Sequence, residues 1–251
     1  MYIRYLVAGI RKLADILSKH TYKMNLIVFD IDDTLTKSEY QHQLAYVNSM
    51  KEIGVTDINQ NWKEYKHHTD SYILKVNYEN NLTDNFDFKL LDSFEKRMTE
   101  IMKTLEPVKE ISGAKNFVNY LREEKNYALT FATGSLLQPA ILKLEQANIW
   151  HDKNLIASSN EFYEREEIVS DAIEKAKQYF NVTDFENIIS IGDGIWDMKT
   201  AKNLNISFIG VGTKNYEDFK KENIEVHTEN WDNFDFEKAE KKLIKFKKYV
   251  S

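Results

Sequence analysis

Four short apolar runs, at residues 26–29, 129–132, 188–191 and 206–211, are bounded by polar clusters and read as buried strands rather than helices. Between them the apolar positions recur at helical spacing. The intervals predict helices near 114–124, 140–147, 166–180 and 198–204, with a further short strand at 155–157. Strands alternating with helices in this way predict an α/β chain whose parallel sheet is covered on both faces.

One stretch departs from that rhythm. For about seventy residues after Thr34 the pattern is helical only, with segments at 39–53, 61–76 and 86–105 separated by the polar breaks GVTDINQN and NYENNLTDN. This reads as an inserted α-helical cap over residues 38–106, leaving 24–37 and 107–251 for the core. Pro107 and Gly113 frame the return to the core. Residues 1–23 form a third section, in which Arg4, Arg11, Lys12, Lys19 and Lys23 face only Asp15 while Tyr2, Leu6, Ile10, Leu13 and Leu17 recur at helical spacing. It is either a basic amphipathic helix docked on a partner or membrane surface, or a disordered extension ahead of a true start at Met24. The Lys-rich tail, residues 238–248, reads as a solvated helix face.

Composition narrows the function classes. The chain has 251 residues, enough for one sizeable domain and a smaller accessory one, and 42% of them are hydrophobic. With 34 basic and 40 acidic side chains the net charge is −6, which argues against a general nucleic-acid binder. There is no cysteine, so neither disulfides nor thiolate chemistry are available. No apolar stretch is long enough for stable membrane insertion, and a cytoplasmic location is the expectation. Oligomeric state is not readable from these patterns.

The candidate chemistry sits at strand ends. Residues 26–35 read LIVFDIDDTL, so Asp30, Asp32 and Asp33 cluster at a strand's C-terminal end, where open α/β sheets place ligands. Such clustering is costly unless a cation compensates, which points to a divalent metal. The plainer alternative, a turn or helix N-cap, needs only Asp33 and Thr34. Two further strand ends follow in order: LTFATGS at 129–135 and IISIGDGIWD at 188–197.

A strand ending in DxDxT, a second ending in T-G-S and a third ending in GDxxxD together resemble the haloacid dehalogenase-like superfamily, in its phosphoglycolate phosphatase and β-phosphoglucomutase-like branch. The resemblance implies a Rossmann-like three-layer α/β/α core with the helical cap inserted. It also implies a Mg2+-dependent phosphatase acting on a small phosphorylated metabolite. Asp30 would be the nucleophile that forms an aspartyl-phosphate, and Asp32 the general acid and base. An i, i+2 pair shares a face if the chain stays extended, so both would reach one phosphate. Dehalogenases of this superfamily lack the second acid, so Asp32 argues against that activity. Mg2+ would be held by Asp30, the main-chain carbonyl of Asp32 and Asp193, with Asp197 as ligand or support, and Gly192 and Gly194 would let the backbone turn beside it. Thr133 and the Gly134 amide would bind the phosphoryl group; an ordinary hydroxyl turn is the alternative for Thr133.

The chain departs from the family pattern at one cation. Where a lysine is usual between the second and third motifs, the segment SSNEFYEREEIVSDAI offers Arg165 and no lysine before Lys175. Arg165 is therefore the expected catalytic and phosphate-binding cation, with Lys175 or Lys177 as substitutes if it is merely paired with Glu161 or Glu166 on the surface. His67 and His68 read as cap surface. Tyr40, His42, Tyr46, Trp62, Tyr65 and Tyr72 read as either a leaving-group contact or the cap's own core, and Trp196 as either an entrance residue or helix packing. Two rivals stand beside the phosphatase: a phosphomutase of the same superfamily, and a phosphoaspartate-binding regulatory protein without turnover.

Overall fold

β1 (Asn25–Phe29) carries alternate side chains to opposite faces, and both faces are apolar: Ile27 and Phe29 belong to one buried cluster, Leu26 and Val28 to another. That composition forces the strand to the centre of a sheet covered on both sides. In the computed structural model, which describes residues 24–250 with side chains through Leu243, β1 pairs in parallel with β4 (Tyr127–Ala132) on one side and β6 (Ile188–Gly192) on the other. The full order is β5-β4-β1-β6-β7-β8, with β5 at Ile156–Ala157, β7 at Ser207–Val211 and β8 at His227–Thr228, every pair parallel. Chain order reverses beside β1, the kind of position where open sheets form a ligand crevice.

One face is covered by α4 (Ala114–Glu123), α5 (Leu137–Gln146) and α9 (Phe236–Val250), the other by α6 (Arg165–Phe180). α7 (Ile195–Asn203) and α8 (Tyr216–Lys221) pack against β7 through Met198, Ala201 and Phe219. This is the Rossmann-like α/β/α core. No helix among the described residues is long and apolar enough to cross a membrane. The reading for residues 1–23 lies outside the described residues.

After β1 the chain enters a two-residue strand, β2 (Thr36–Lys37), and returns to the core through β3 (Lys109–Glu110), antiparallel to it. Between these lies the helical cap: α1 (Glu39–Glu52), α2 (Asp70–Asn81) and α3 (Leu90–Met102), closed around Tyr46, Met50, Leu74, Phe94 and Met98. The helix expected over 61–76 does not form as such. A single 3-10 turn at Trp62–Glu64 is followed by extended backbone at Tyr65 and Thr69, and α2 starts only at Asp70. Polar side chains take the backbone's place as hydrogen-bond partners here: Thr69 and Ser71 donate to Tyr163 and Phe162 carbonyls, and Tyr65 to that of Asn59. The Asp70 amide donates to Gly134 O at 2.8 Å, so the start of α2 is tied to the core rather than continued backwards.

Candidate active site

Parallel register brings the ends of β1, β4 and β6 side by side, which places Asp30, Thr133 and Asp193 along one edge of the sheet. The chain passes Asp32, which bridges to Thr36, before it turns at residues 33–35. It folds back through amide bonds from Leu35 and Thr36 to Ile31 O, with Asp33 in the left-handed conformation (φ 51°) that aspartate tolerates. The three carboxylates therefore point to three different partners. Asp30 and Asp32 both line one cavity, Asp30 against Arg165 and Asp32 against Lys143.

Asp30 is held on both oxygens. Oδ1 accepts from Arg165 Nη2 at 2.9 Å and Oδ2 from the Thr34 hydroxyl at 3.1 Å. Burial, reinforced by repulsion from Asp197 and only partly offset by Arg165, pushes the Asp30 carboxyl up to about 7. Asp193 lies well above the usual carboxylate range for the same reasons, burial first and then the charges of Asp30 and Asp197. Oxygens of Asp30, Asp193 and Asp197 all lie within 4.8 Å of one another. Arg165 also bonds Asp197, whose other oxygen accepts from the Gly194 amide at 3.0 Å in the first turn of α7. The Asp193 carboxylate has no hydrogen bond of its own among the described residues. Three buried carboxylates sharing one guanidinium are short of positive charge, so the set fits a hard divalent cation.

Arg165 is the first residue of α6, one residue ahead of the expected helix start, and is 6% exposed. Its partners are Asp30 and Asp197, not Glu161 or Glu166. Its Nε is buried without a partner and its Nη1 lies beside Gly134, so donors remain unspent toward the cavity. A side chain at Gly134 would meet His68 O at 2.5 Å and Arg165 Nη1 at 3.0 Å, which is why only glycine fits. Gly192 and Gly194 do not sit at positive φ. They are required by close approach instead, since a Cβ would collide with the Asp197 side chain or the Trp196 ring. Thr133 is fully buried, and its hydroxyl accepts from the Ser135 amide at 3.1 Å in a hydroxyl turn; Gly134 and Ser135 line the cavity beyond it. Lys175 and Lys177 serve other partners: Lys175 pairs with Asp171 and donates to Ile156 O, and Lys177 pairs with Glu174.

The cavity, of about 400 Å3, is walled by Asp30, Arg165 and Asp193 from the core and by His42, Tyr46 and Trp62 from the cap. His68 is not cap surface: it stacks on Trp196 with centroids 4.3 Å apart at the cavity wall, and burial with the nearby Arg165 charge lowers it to about 4. Lys143 was not foreseen at all. This lysine of α5 is fully buried, with Nζ 2.7 Å from Asp32 Oδ1, 2.6 Å from Ser135 Oγ and 2.8 Å from His42 Nδ1. Burial alone would raise the Asp32 carboxyl, but the Lys143 charge and bonds from Lys143 and Ser38 hold it well below the usual range. A signal for Lys143 existed: it falls with Ala140, Leu144 and Ala147 on the apolar register of its helix, where a charge demands a buried partner.

The haloacid dehalogenase-like hydrolase family model matches residues 27–211. Among curated proteins no match was found. Solved structures share the fold. A family IA, variant 3 hydrolase of this superfamily from Entamoeba histolytica aligns at 17% identity and TM-score 0.64, covering 85% of this chain and 96% of that one. The β-phosphoglucomutase of Clostridium difficile aligns at 17% and 0.65, covering 89% and 98%. CbbY of Rhodobacter sphaeroides, in complex with phosphate, aligns at 14% and 0.57, covering 84% and 96%.

Proposed function

The chain belongs to the haloacid dehalogenase-like hydrolase family, and from that premise we propose a Mg2+-dependent phosphatase that hydrolyses a small phosphorylated metabolite through an aspartyl-phosphate. Residues 24–37 and 107–251 are its catalytic core and 38–106 its cap. The observation that carries this reading is Asp30 itself, a buried carboxylate oriented by Arg165 and Thr34 at the floor of a cavity roofed by the cap.

In the first step an Asp30 oxygen attacks phosphorus, the bond to the leaving oxygen breaks, and that oxygen takes a proton from Asp32. In the second, water attacks phosphorus, Asp32 takes its proton, the Asp30–phosphorus bond breaks, and inorganic phosphate leaves. Asp32 as it stands, a carboxylate held by Lys143, is in the form needed for the second step. Donation in the first requires that one oxygen be loaded with a proton while the other keeps its contact with Lys143. Arg165, with the Gly134 amide, neutralises and orients the phosphoryl oxygens, and the buried Thr133 hydroxyl braces the turn that presents Gly134 and Ser135 to the cavity. Asp30, Asp193 and the Asp32 main-chain carbonyl would hold Mg2+, with Asp197 as ligand or support; when bound, the ion supplies positive charge at the reacting phosphate.

The test is phosphate release across sugar phosphates, nucleotides, phosphoglycolate and amino-acid phosphates, with and without Mg2+. Mg2+-dependent release that Asp30→Asn abolishes supports the reading. Substrate loss without phosphate release transfers it to a mutase, the activity named for the Clostridium neighbour. A stable phosphoprotein without turnover transfers it to a binding protein.

A further inference from the structure

Lys143 does not touch the cavity, yet three side chains that do, Asp32, Ser135 and His42, all rest on its ammonium. A lysine has three donors and no acceptor. The three donors meet these three acceptors, which makes His42 Nδ1 the acceptor and leaves its Nε2–H to donate to Asp70 Oδ1 at 3.0 Å. Asp70, the first residue of α2, accepts on its other oxygen from the Leu136 amide at 3.0 Å, at the threshold of α5. The chain of bonds thus leaves α5 at Lys143, crosses to the cap at His42, passes to Asp70 and returns to α5 at Leu136.

Every member is spent within this circuit. The Ser135 hydroxyl, already accepting from Lys143, donates to Asp32 Oδ2 at 3.2 Å, and Ser38 donates to Oδ1 from the residue preceding α1. Asp32 therefore has both oxygens fixed, by groups drawn from α5, from the turn after β4 and from the root of the cap. A lysine that only balanced the charge of Asp32 would have no need of a cap residue. Burying an ammonium costs several kcal/mol unless each donor is satisfied, and here one of the three satisfying groups arrives only with the cap.

We propose that Lys143 is a positioning residue, through which the seated cap fixes the carboxylate of Asp32 in the cavity. The proposal rests on the phosphatase reading for the reaction it serves. The geometric part, that Lys143 couples the cap to Asp32, is independent of which reaction follows.

Lys143→Met keeps the length of the side chain and removes its donors. Two measurements on the full chain with Mg2+ decide the matter. Amide hydrogen exchange should accelerate about tenfold in residues 39–52, which carry His42, with β4 and β6 unchanged, because one of the cap's links to the core is lost while those at Thr69, Asp70 and Ser71 remain. Catalysis should split by leaving group: kcat should fall about 100-fold on an alkyl phosphate and less than about tenfold on p-nitrophenyl phosphate, whose leaving oxygen needs little protonation. His42→Gln, at a partly exposed position, is the second variant should Lys143→Met not fold, and the same exchange pattern is expected. In the double variant the losses should not multiply, since both break one circuit. Unchanged cap exchange overturns the proposal, as do equal losses on both esters. If the unsubstituted protein cleaves neither ester, the phosphatase reading fails, and the exchange arm alone then decides the role of Lys143.

Discussion

The guanidinium of Arg165 meets the carboxylate of Asp30 at 2.9 Å, with side chains 6% and 8% exposed. Their separation in the chain is 135 residues, and the contact puts a permanent cation against the proposed nucleophile. Removing one charge-stabilising donor from a preorganised site typically costs two to three orders of magnitude in rate, so Arg165→Ala should lower kcat by about 100- to 1000-fold. Arg165→Lys should recover only part of this, since a point charge on a different stem does not reproduce the planar donor fork of a guanidinium. Lys175→Ala, whose lysine pairs with Asp171 and the Ile156 carbonyl rather than with the site, is the control and should stay near the unsubstituted rate. Phosphate-release kinetics read all three; a crippled Lys175→Ala with a healthy Arg165→Ala would remove Arg165 from its role.

The metal-free protein should become less stable as pH rises from about 4 to 7. Asp30 and Asp33 are raised to about 7 and about 6, and Asp193 is raised as well; these three outweigh His68, which is lowered to about 4 and acts in the opposite sense, so in that window the folded chain binds more protons than the unfolded one. Asp32 is shifted the other way, and its contribution is present above its ordinary value and lost only as pH falls below it. Thermal melts in chelator between pH 4.5 and 7.5 should show the decline, Mg2+ should reverse it at pH 7.5, and Asp193→Asn should flatten it. A melting temperature that climbs with pH, or an unchanged Mg2+ affinity in Asp193→Asn, would place the ion elsewhere.

Asp32→Asn should cost most on unactivated esters. The amide keeps the contacts to Ser38 and Ser135 in outline but can neither carry a transferable proton nor balance Lys143. The ratio of rates on p-nitrophenyl phosphate and an alkyl phosphate should rise by about tenfold or more. Equal losses on the two would contradict the acid and base assignment.

Deleting residues 1–23 should leave kcat and KM within about twofold, because every group proposed for the site lies beyond Met24. Steady-state kinetics and a thermal melt of the truncated chain check this. Loss of folding would show that the basic segment is docked on the domain.

The strands, the helices of the core and the acidic strand ends were legible in the sequence because their causes are local. A run such as residues 26–29 has no stable place but a two-sided sheet, and the order of the three motifs identified the neighbouring strand ends. The helix expected at 61–76 failed for a non-local reason. Thr69, Asp70 and Ser71 bond to the backbone of residues 134, 162 and 163, and no pattern within the segment announces those partners. His68 was misjudged in the same way, since its neighbour on the stack, Trp196, comes from a different motif.

By itself, then, the sequence determined the parallel α/β core, the inserted helices and the identity of Asp30, Asp32, Arg165, Asp193 and Asp197 as candidate groups. Hydrophobic period and charge at strand ends are properties of neighbouring residues, so they can be read along the chain. Only the tertiary structure decided how charge is paired: Arg165 with Asp30 and Asp197, Lys143 with Asp32, and Lys143 with the cap through His42. Electrostatic pairing depends on distance and on exclusion of water, and both are set by which faces meet across long stretches of chain, from 32 residues for Arg165 and Asp197 to 135 for Arg165 and Asp30.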